Sequence, residues 1–164
     1  MPLDPVPQSS ASDGRWKIAY VPKGSNPLSV AILNGATAKN VTYSFTPDGF
    51  PYATAQAIIN DPRLTLLQDL SRLGKTTDSL VLKYVDSLDA TSAAVLFTDG
   101  LEGFFVIRRG KANDTAWAVG DIVYVLTFQL GVATFDAPVE NGVDTTSQPV
   151  AFTDVTKRKV PLVA

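Results

Sequence analysis

The chain has no cysteine and no histidine among its 164 residues. Without cysteine there is no disulfide, no thiolate nucleophile and no zinc–sulfur site. Without histidine there is no imidazole base, and a Ser-His-Asp arrangement is impossible. No apolar run approaches the ~18 residues of a membrane span. The polar, Pro- and Ser-rich stretch from Met1 to Gly14 lacks the apolar segment of a signal peptide. Charge is scarce: 18% of residues are Asp, Glu, Lys or Arg, against about 25% in an average globular protein. The net charge of −2 gives no basic footprint for sequence-independent nucleic-acid binding. The longest basic run, Lys157-Arg158-Lys159, reads as a solvated tail. A phosphate-cradling GxxxxGK(S/T), a GxGxxG and a calcium-loop spacing are all missing, so no cofactor and no metal is expected. Two Asn-x-Thr sequons, at Asn40 and Asn113, read as chance.

What is present is β-rich. At 45% hydrophobic, the chain can fill a core, and a domain of about 150 residues buries roughly 70% of its unfolded surface. Trp16 to Val21 reads as the first strand. Leu28 to Leu33 is a short apolar run, helix or strand, closed by Asn34-Gly35. Val41 to Thr46 alternates cleanly, with Val41, Tyr43 and Phe45 on one face, as a half-buried strand does. Thr46-Pro47-Asp48-Gly49 then predicts a turn, Pro presetting φ and Gly permitting φ > 0. Ser79 to Val85 returns to a period of two. Asp89 to Phe97 predicts the main helix, with Asp89 at its N-terminus, Ala90, Ala93, Ala94 and Phe97 on one face, and Gly100 as the stop. Gly103–Arg109 and Asp121–Leu130 are the strongest strands, with an isolated Trp117 between them. Gln148–Val155 and Val160–Val163 read as final strands or an extended arm, about 148–164.

The stretch from Phe50 to Thr77 is harder to place. It holds Pro51, Pro62 and a Gly74-Lys75 break. Ala53–Asn60 suits a short strand or a helical turn, and Leu64–Leu73 has a loosely helical spacing. A connection this long is uncommon unless it is functional, so it predicts a projecting loop or arm over about 50–77. The fold class expected is mainly β, a β-sandwich or partly rolled barrel with one flanking helix, in one domain spanning 1–164.

Phe104-Phe105-Val106-Ile107 and Ile122–Leu126 are apolar on both faces, whereas a simple two-layer sheet shows polar residues on one. The helix can cover part of one sheet, and either a neighbouring subunit covers the rest or a thick core lies under the long loop. Catalysis has little to work with. The carboxylate pairs Asp86 with Asp89, and Asp99 with Glu102, lie at turns where capping is ordinary. Phe104 and Phe105 precede Arg108-Arg109, but adjacent strand residues point to opposite faces and make no stacking platform. A core followed by a solvated strand end is the simpler reading.

Three segments carry a resemblance: Thr46-Pro-Asp-Gly-Phe50; Asp61-Pro-Arg-Leu-Thr-Leu-Leu-Gln-Asp-Leu70; and Gly74-Lys-Thr-Thr-Asp-Ser-Leu-Val-Leu-Lys-Tyr-Val85. Glu102-Gly-Phe-Phe-Val-Ile-Arg-Arg-Gly110 and Gly120-Asp-Ile-Val-Tyr-Val-Leu126 continue it. From about Val41 to Leu130 the chain resembles the major tail (tail tube) proteins of long-tailed bacteriophages, particularly those of actinobacterial hosts. The resemblance implies a structural virion protein and no enzyme. It implies a β-sandwich with a flanking helix, forming hexameric rings whose sheets join into an inner barrel. Such rings stack into a tube for genome ejection, assembled in the host bacterial cytoplasm. Its partners would be itself, the tape measure and the tail terminator, with DNA passing the lumen without specific binding and no membrane contact. A long loop and the chain ends would bridge subunits. On that picture self-assembly would use Phe50, Tyr52, Arg63, Leu64, Leu67, Leu70 and Lys75 in the arm. It would also use Phe104, Val106, Ile122, Tyr124 and Leu126 on barrel-forming strands, to which Ser79–Val85 would add. Competing readings are a head–tail completion or tail terminator protein, a β-sandwich ligand-binding module using Trp16, Trp117 and Tyr52, and an enzyme without histidine.

Overall fold

The chain's two most apolar segments lie side by side at the centre of its sheet. A computed structural model describes residues 4–164; the first three positions of the polar N-terminal segment, and of the expected domain span, lie outside the described residues. In chain order the elements are β1 (Trp16–Pro22), a short helix α1 (Val30–Leu33), β2 (Lys39–Asn40), a 3₁₀ turn (Thr42–Ser44), β3 (Ala53–Asp61), β4 (Leu70–Ser79) and β5 (Val81–Val85). A second short helix α2 (Ala93–Leu96), β6 (Glu102–Arg109), β7 (Ile122–Leu130), β8 (Thr134–Phe135), β9 (Thr145–Phe152) and β10 (Lys157–Pro161) follow. The strands pair antiparallel in the order β2-β1-β6-β7-β9-β5, while β3 and β4 form a separate two-stranded sheet.

The far edge of β7 is shared. Its first half, from Ile122 to Val125, pairs with β10, and its last residues, Phe128 to Leu130, pair with the end of β9. The first half of β9 leaves β7 to pair with β5 and β8. The sheet therefore rolls over on itself without closing. The β-rich, open, rolled architecture matches the fold class expected from sequence.

The roll explains why β6 and β7 are apolar on both faces. Ile18, Tyr20, Phe105, Ile107, Leu126 and Phe128 point inward, where Leu82 and Tyr84 of β5 and Phe97 meet them. Phe105 and Phe128 stack with centroids 4.0 Å apart. Ala19, Val21, Val106, Val123 and Val125 point the other way, and there Leu33 of α1, Trp117 and Leu162 cover them. The cover for the second face is neither a neighbour nor the long loop, as expected from sequence, but three short pieces of the same chain.

Several local expectations are corrected. Val41–Thr46 is not a strand. The Asn40 carboxamide oxygen accepts from the Thr42 N–H at 3.1 Å and from its hydroxyl at 2.6 Å, and such local bonds compete with strand pairing. The chain tightens into a 3₁₀ turn, which leaves Tyr43 exposed while Val41 is buried. Helix α2 is one turn, not the span Asp89–Phe97. The Asp89 carboxylate instead closes a turn by accepting from the N–H and the hydroxyl of Thr91, both at 2.9 Å. The helix ends where Phe97 turns into an aromatic cluster with Tyr20, Phe45, Tyr84 and Phe105. Of its expected apolar face only Ala93 and Phe97 are fully buried.

Gly49 has no positive φ. Its requirement is space, because a Cβ there would lie 2.0 Å from the Lys83 carbonyl oxygen. The turn it belongs to caps the outer edge of β5: the Thr46 N–H donates to the Lys83 carbonyl and the Lys83 N–H to the Gly49 carbonyl. The stretch 148–164 is packed rather than extended as an arm, since β9 and β10 both lie in the sheet. The charged run at Lys157–Lys159 is accordingly an edge strand and not a loose tail.

Candidate self-assembly surface

Residues 53–79 form a β-hairpin that stands off the rolled sheet. Pairing runs from Ala53 opposite Ser79 to Asp61 opposite Leu70, with a bulge opposite Ala57 at Gly74-Lys75. The alternative of a helical turn at Ala53–Asn60 gives way to strand, and the helical spacing at Leu64–Leu73 gives way to the tip loop and, from Leu70 onward, to strand, because β3 and β4 find their partner in each other. Every residue from Ala53 to Asn60 is exposed, and so is every residue of β4 except Gly74 and Asp78. An isolated two-stranded hairpin has no second layer to bury its side chains. Its apolar groups therefore face water: Ile58 is 66% exposed, Leu73 70%, Leu64 94% and Leu67 105%. Exposed apolar surface on this scale is a candidate for interaction with another chain.

The root of the hairpin is anchored by charge. Arg158 of β10 donates to the Asp78 carboxylate at 2.7 Å, to the Tyr52 hydroxyl at 3.1 Å and to the Thr54 hydroxyl at 3.2 Å. The Thr156 hydroxyl donates to the other Asp78 oxygen at 2.6 Å. Burial opposes the charge on Asp78, yet the hydrogen bonds of Thr156 and Thr54 and the Arg158 guanidinium hold its carboxyl below the usual range. Thr54 and Asp78 pair across one face of the hairpin, so that face turns to β10. The opposite face, with Ala53, Ala55 and Ile59, is left open.

A second feature lies at the same root. Trp16, Phe50, Tyr52, Ile107, Arg109 and Tyr124 line a cavity of about 250 Å³. Register brings them together: Trp16 sits opposite Arg109 and Ile107 opposite Tyr124. The Arg109 guanidinium lies 5.5 Å from the Trp16 ring centre and 5.4 Å from that of Tyr124. This is the open mouth of the inner core.

The residues expected to mediate assembly fall into three groups. Arg63, Leu64, Leu67, Leu70 and Lys75 are on the exposed hairpin, where Arg63 pairs with Asp61. Phe50, Tyr52 and Tyr124 converge on the aromatic cavity. Val106 and Leu126 are fully buried in the chain's own core and have no surface to offer a neighbour, Phe104 is half-buried, and Ile122 is exposed. The sequence reading missed Trp16 and Arg109 as parts of a cavity, and Asp78 and Arg158 as the hairpin's anchor. No local signal marks these contacts, which join residues up to 106 positions apart.

Other expectations meet different fates. Arg108 is not part of a solvated strand end; it is 1% exposed. Trp117 is no exposed binding aromatic, being buried against Arg108 and Lys17, which lie 5.0 and 5.3 Å from its ring centre. The carboxylates considered for catalysis are occupied: Asp86 accepts from Thr146, Asp89 from Thr91, Asp99 from the Ala133 N–H, and Glu102 pairs with Lys23. The sequon residues Asn40 and Asn113 bond to each other. Among the described residues no cluster of acidic groups could hold a metal ion, and no helix is long and apolar enough to cross a membrane.

Comparison with solved structures gives a likeness of fold. The chain superposes on a protein of the cryo-EM structure of the anti-feeding prophage (AFP) baseplate, 6-fold symmetrised, with a TM-score of 0.58. The identity is 10%, over 92% of this chain and 95% of the other. No curated protein matches the sequence. The family described as phage tail tube protein matches residues 4–164, nearly the whole chain. The chain therefore belongs to the phage tail tube protein family, which makes it a structural, non-enzymatic component of the virion tail.

Proposed function

We propose that copies of this chain close into hexameric rings that stack into the tail tube, the conduit through which the genome leaves the capsid. The observation that carries this reading is the hairpin of β3 and β4, an arm whose apolar side chains are left exposed beyond its root among the described residues. An arm that seats on a different surface of the next copy makes a heterologous contact, which closes into a ring or continues as a filament. The strand edges support the reading further. Among the described residues, β2 and β10 each pair on one side only, and open edges are templates for pairing with another chain. The tape measure and the tail terminator are its further partners. DNA slides through the lumen without specific binding, in keeping with the net charge of −2. Assembly takes place in the host bacterial cytoplasm.

The test is negative-stain electron microscopy of the purified protein together with its mass in solution. Hollow tubes of uniform diameter with sixfold end views are expected. Single rings that never stack would move the reading to a tail terminator or head–tail completion protein. A monomer that persists even with tail initiator complexes would remove the tube reading.

A further inference from the structure

The hairpin tip and the aromatic cavity each lack a partner, and each supplies what the other lacks. At the tip, Leu64 and Leu67 project fully into solvent. In the same loop Arg63 is held by Asp61, which leaves Asp69 with no ion pair among the described residues. Arg72 and Lys75 lie further back along β4. At the cavity, the walls are Trp16, Tyr52 and Tyr124, and Arg109 is exposed at the rim beside two aromatic rings, with no ion pair among the described residues. An aliphatic side chain fits the cavity, and a carboxylate fits the rim. The wider groove at the hairpin root, about 640 Å³, is lined by Thr76, Thr77, Asp78, Thr153 and Thr156 among others, and offers a leucine little.

The two features cannot meet within one copy. The cavity is at the root of the hairpin, through Phe50 and Tyr52. A strand rises about 3.4 Å per residue, and β3 has 9 residues, so the tip lies roughly 30 Å from its own cavity. The hairpin is pinned upright by Arg158 and Asp78 and cannot fold back without breaking that anchor.

We infer that the hairpin tip of one copy, Leu64 and Leu67 with Asp69, seats in the aromatic cavity of Trp16, Tyr52, Tyr124 and Arg109 on the next copy. This deepens the tube reading and rests on it. The contact joins the tip of each arm to the root of the next, so it is head-to-tail and propagates. The arm's length sets the spacing between successive copies.

The absence of native cysteine makes a clean test. The double variant Leu67→Cys with Tyr124→Cys is assembled and oxidised, with Leu67→Cys plus Tyr52→Cys as a second geometry. A ladder of covalent multimers on a non-reducing gel, collapsing to monomer with reductant, is the expected result. Leu67→Cys with Val119→Cys, which places the second thiol at an exposed site outside the cavity, gives no ladder beyond dimer. A charge exchange gives an independent readout: Asp69→Arg and Arg109→Asp each lower tube yield at least tenfold, and the two together restore it. Wild-type tubes with no ladder from either cysteine pair, and no restoration by the charge exchange, overturn the cavity as receptor and leave the tube reading standing. No tubes from the wild-type chain, even with tail initiator complexes, overturn both.

Discussion

Arg108 is the largest fully buried side chain among the described residues, and acceptors surround it. One terminal nitrogen donates to the Ala116 carbonyl at 2.9 Å and to Asp121 at 3.0 Å; the other donates to the carbonyls of Ala112 and Thr115. Only its Nε lacks a partner among the described residues. Asp121, itself buried, also receives Lys111 and the Ala118 N–H. Two ion pairs on one carboxylate thereby fasten the loop between β6 and β7, which carries Trp117 onto the outer core. Asp121→Ala leaves an unpaired buried cation and is expected to cost about 3–5 kcal/mol, read by urea unfolding. Burial works against the Asp121 charge, but Lys111, the Ala118 N–H and Arg108 hold its carboxyl below the ordinary range. A depressed folded value means stability that is present above the unfolded pKa of about 3.9 and lost as pH falls through the folded value. Asp121→Asn should flatten the acid side of the stability profile below about pH 4 relative to the parent. Gly49→Ala tests a different constraint. A methyl cannot share the space of the Lys83 carbonyl, so the turn must leave β5, at a cost of at least about 1–3 kcal/mol in chemical unfolding.

At the scale of elements, the hairpin and the rolled sheet have separate stabilities. The hairpin buries almost nothing and depends on its root, while β6 and β7 are packed on both faces. Stability within a protein follows such differences in burial. Replacing residues 54–78 with a short glycine linker should leave the melting temperature within a few degrees of the parent, because loop closure costs little extra. The same change should abolish tubes in electron micrographs. A collapse of the melting temperature would instead make the hairpin part of the core.

Across the whole molecule, the sheet is roofed on both sides by its own chain. The inner core is centred on Phe105, which stacks on Phe128 and meets Phe50 and Phe97 edge-on. Phe105→Ala should cost about 3–5 kcal/mol in the isolated monomer, whose two cores are complete without a neighbour. If the monomer unfolded only marginally more easily, the core would have to be finished by assembly. What the fold leaves exposed or unpaired among the described residues is the arm, the aromatic mouth and the open strand edges.

The sequence by itself determined the strands whose pattern is strong. Trp16–Val21, Ser79–Val85, Gly103–Arg109 and Asp121–Leu130 fall where β1, β5, β6 and β7 lie, because β-branched and aromatic side chains at a period of two suit a packed sheet. Through the order of its motifs it also marked the family. Only tertiary structure decided the rest. Short segments such as Val41–Thr46 and Asp89–Phe97 were settled by side-chain bonds and by the pull of Phe97 into the core, which outweigh weak local periodicity. The hairpin's strands are stabilised by each other and not by a buried face, so no one-sided pattern announced them. Leu162 and Trp117 became the roof of the outer core, Arg108 a buried charge, and Trp16, Tyr52, Arg109 and Tyr124 one cavity. Each of these depends on residues far apart in the chain meeting at one place, and that meeting exists only once the sheet has rolled.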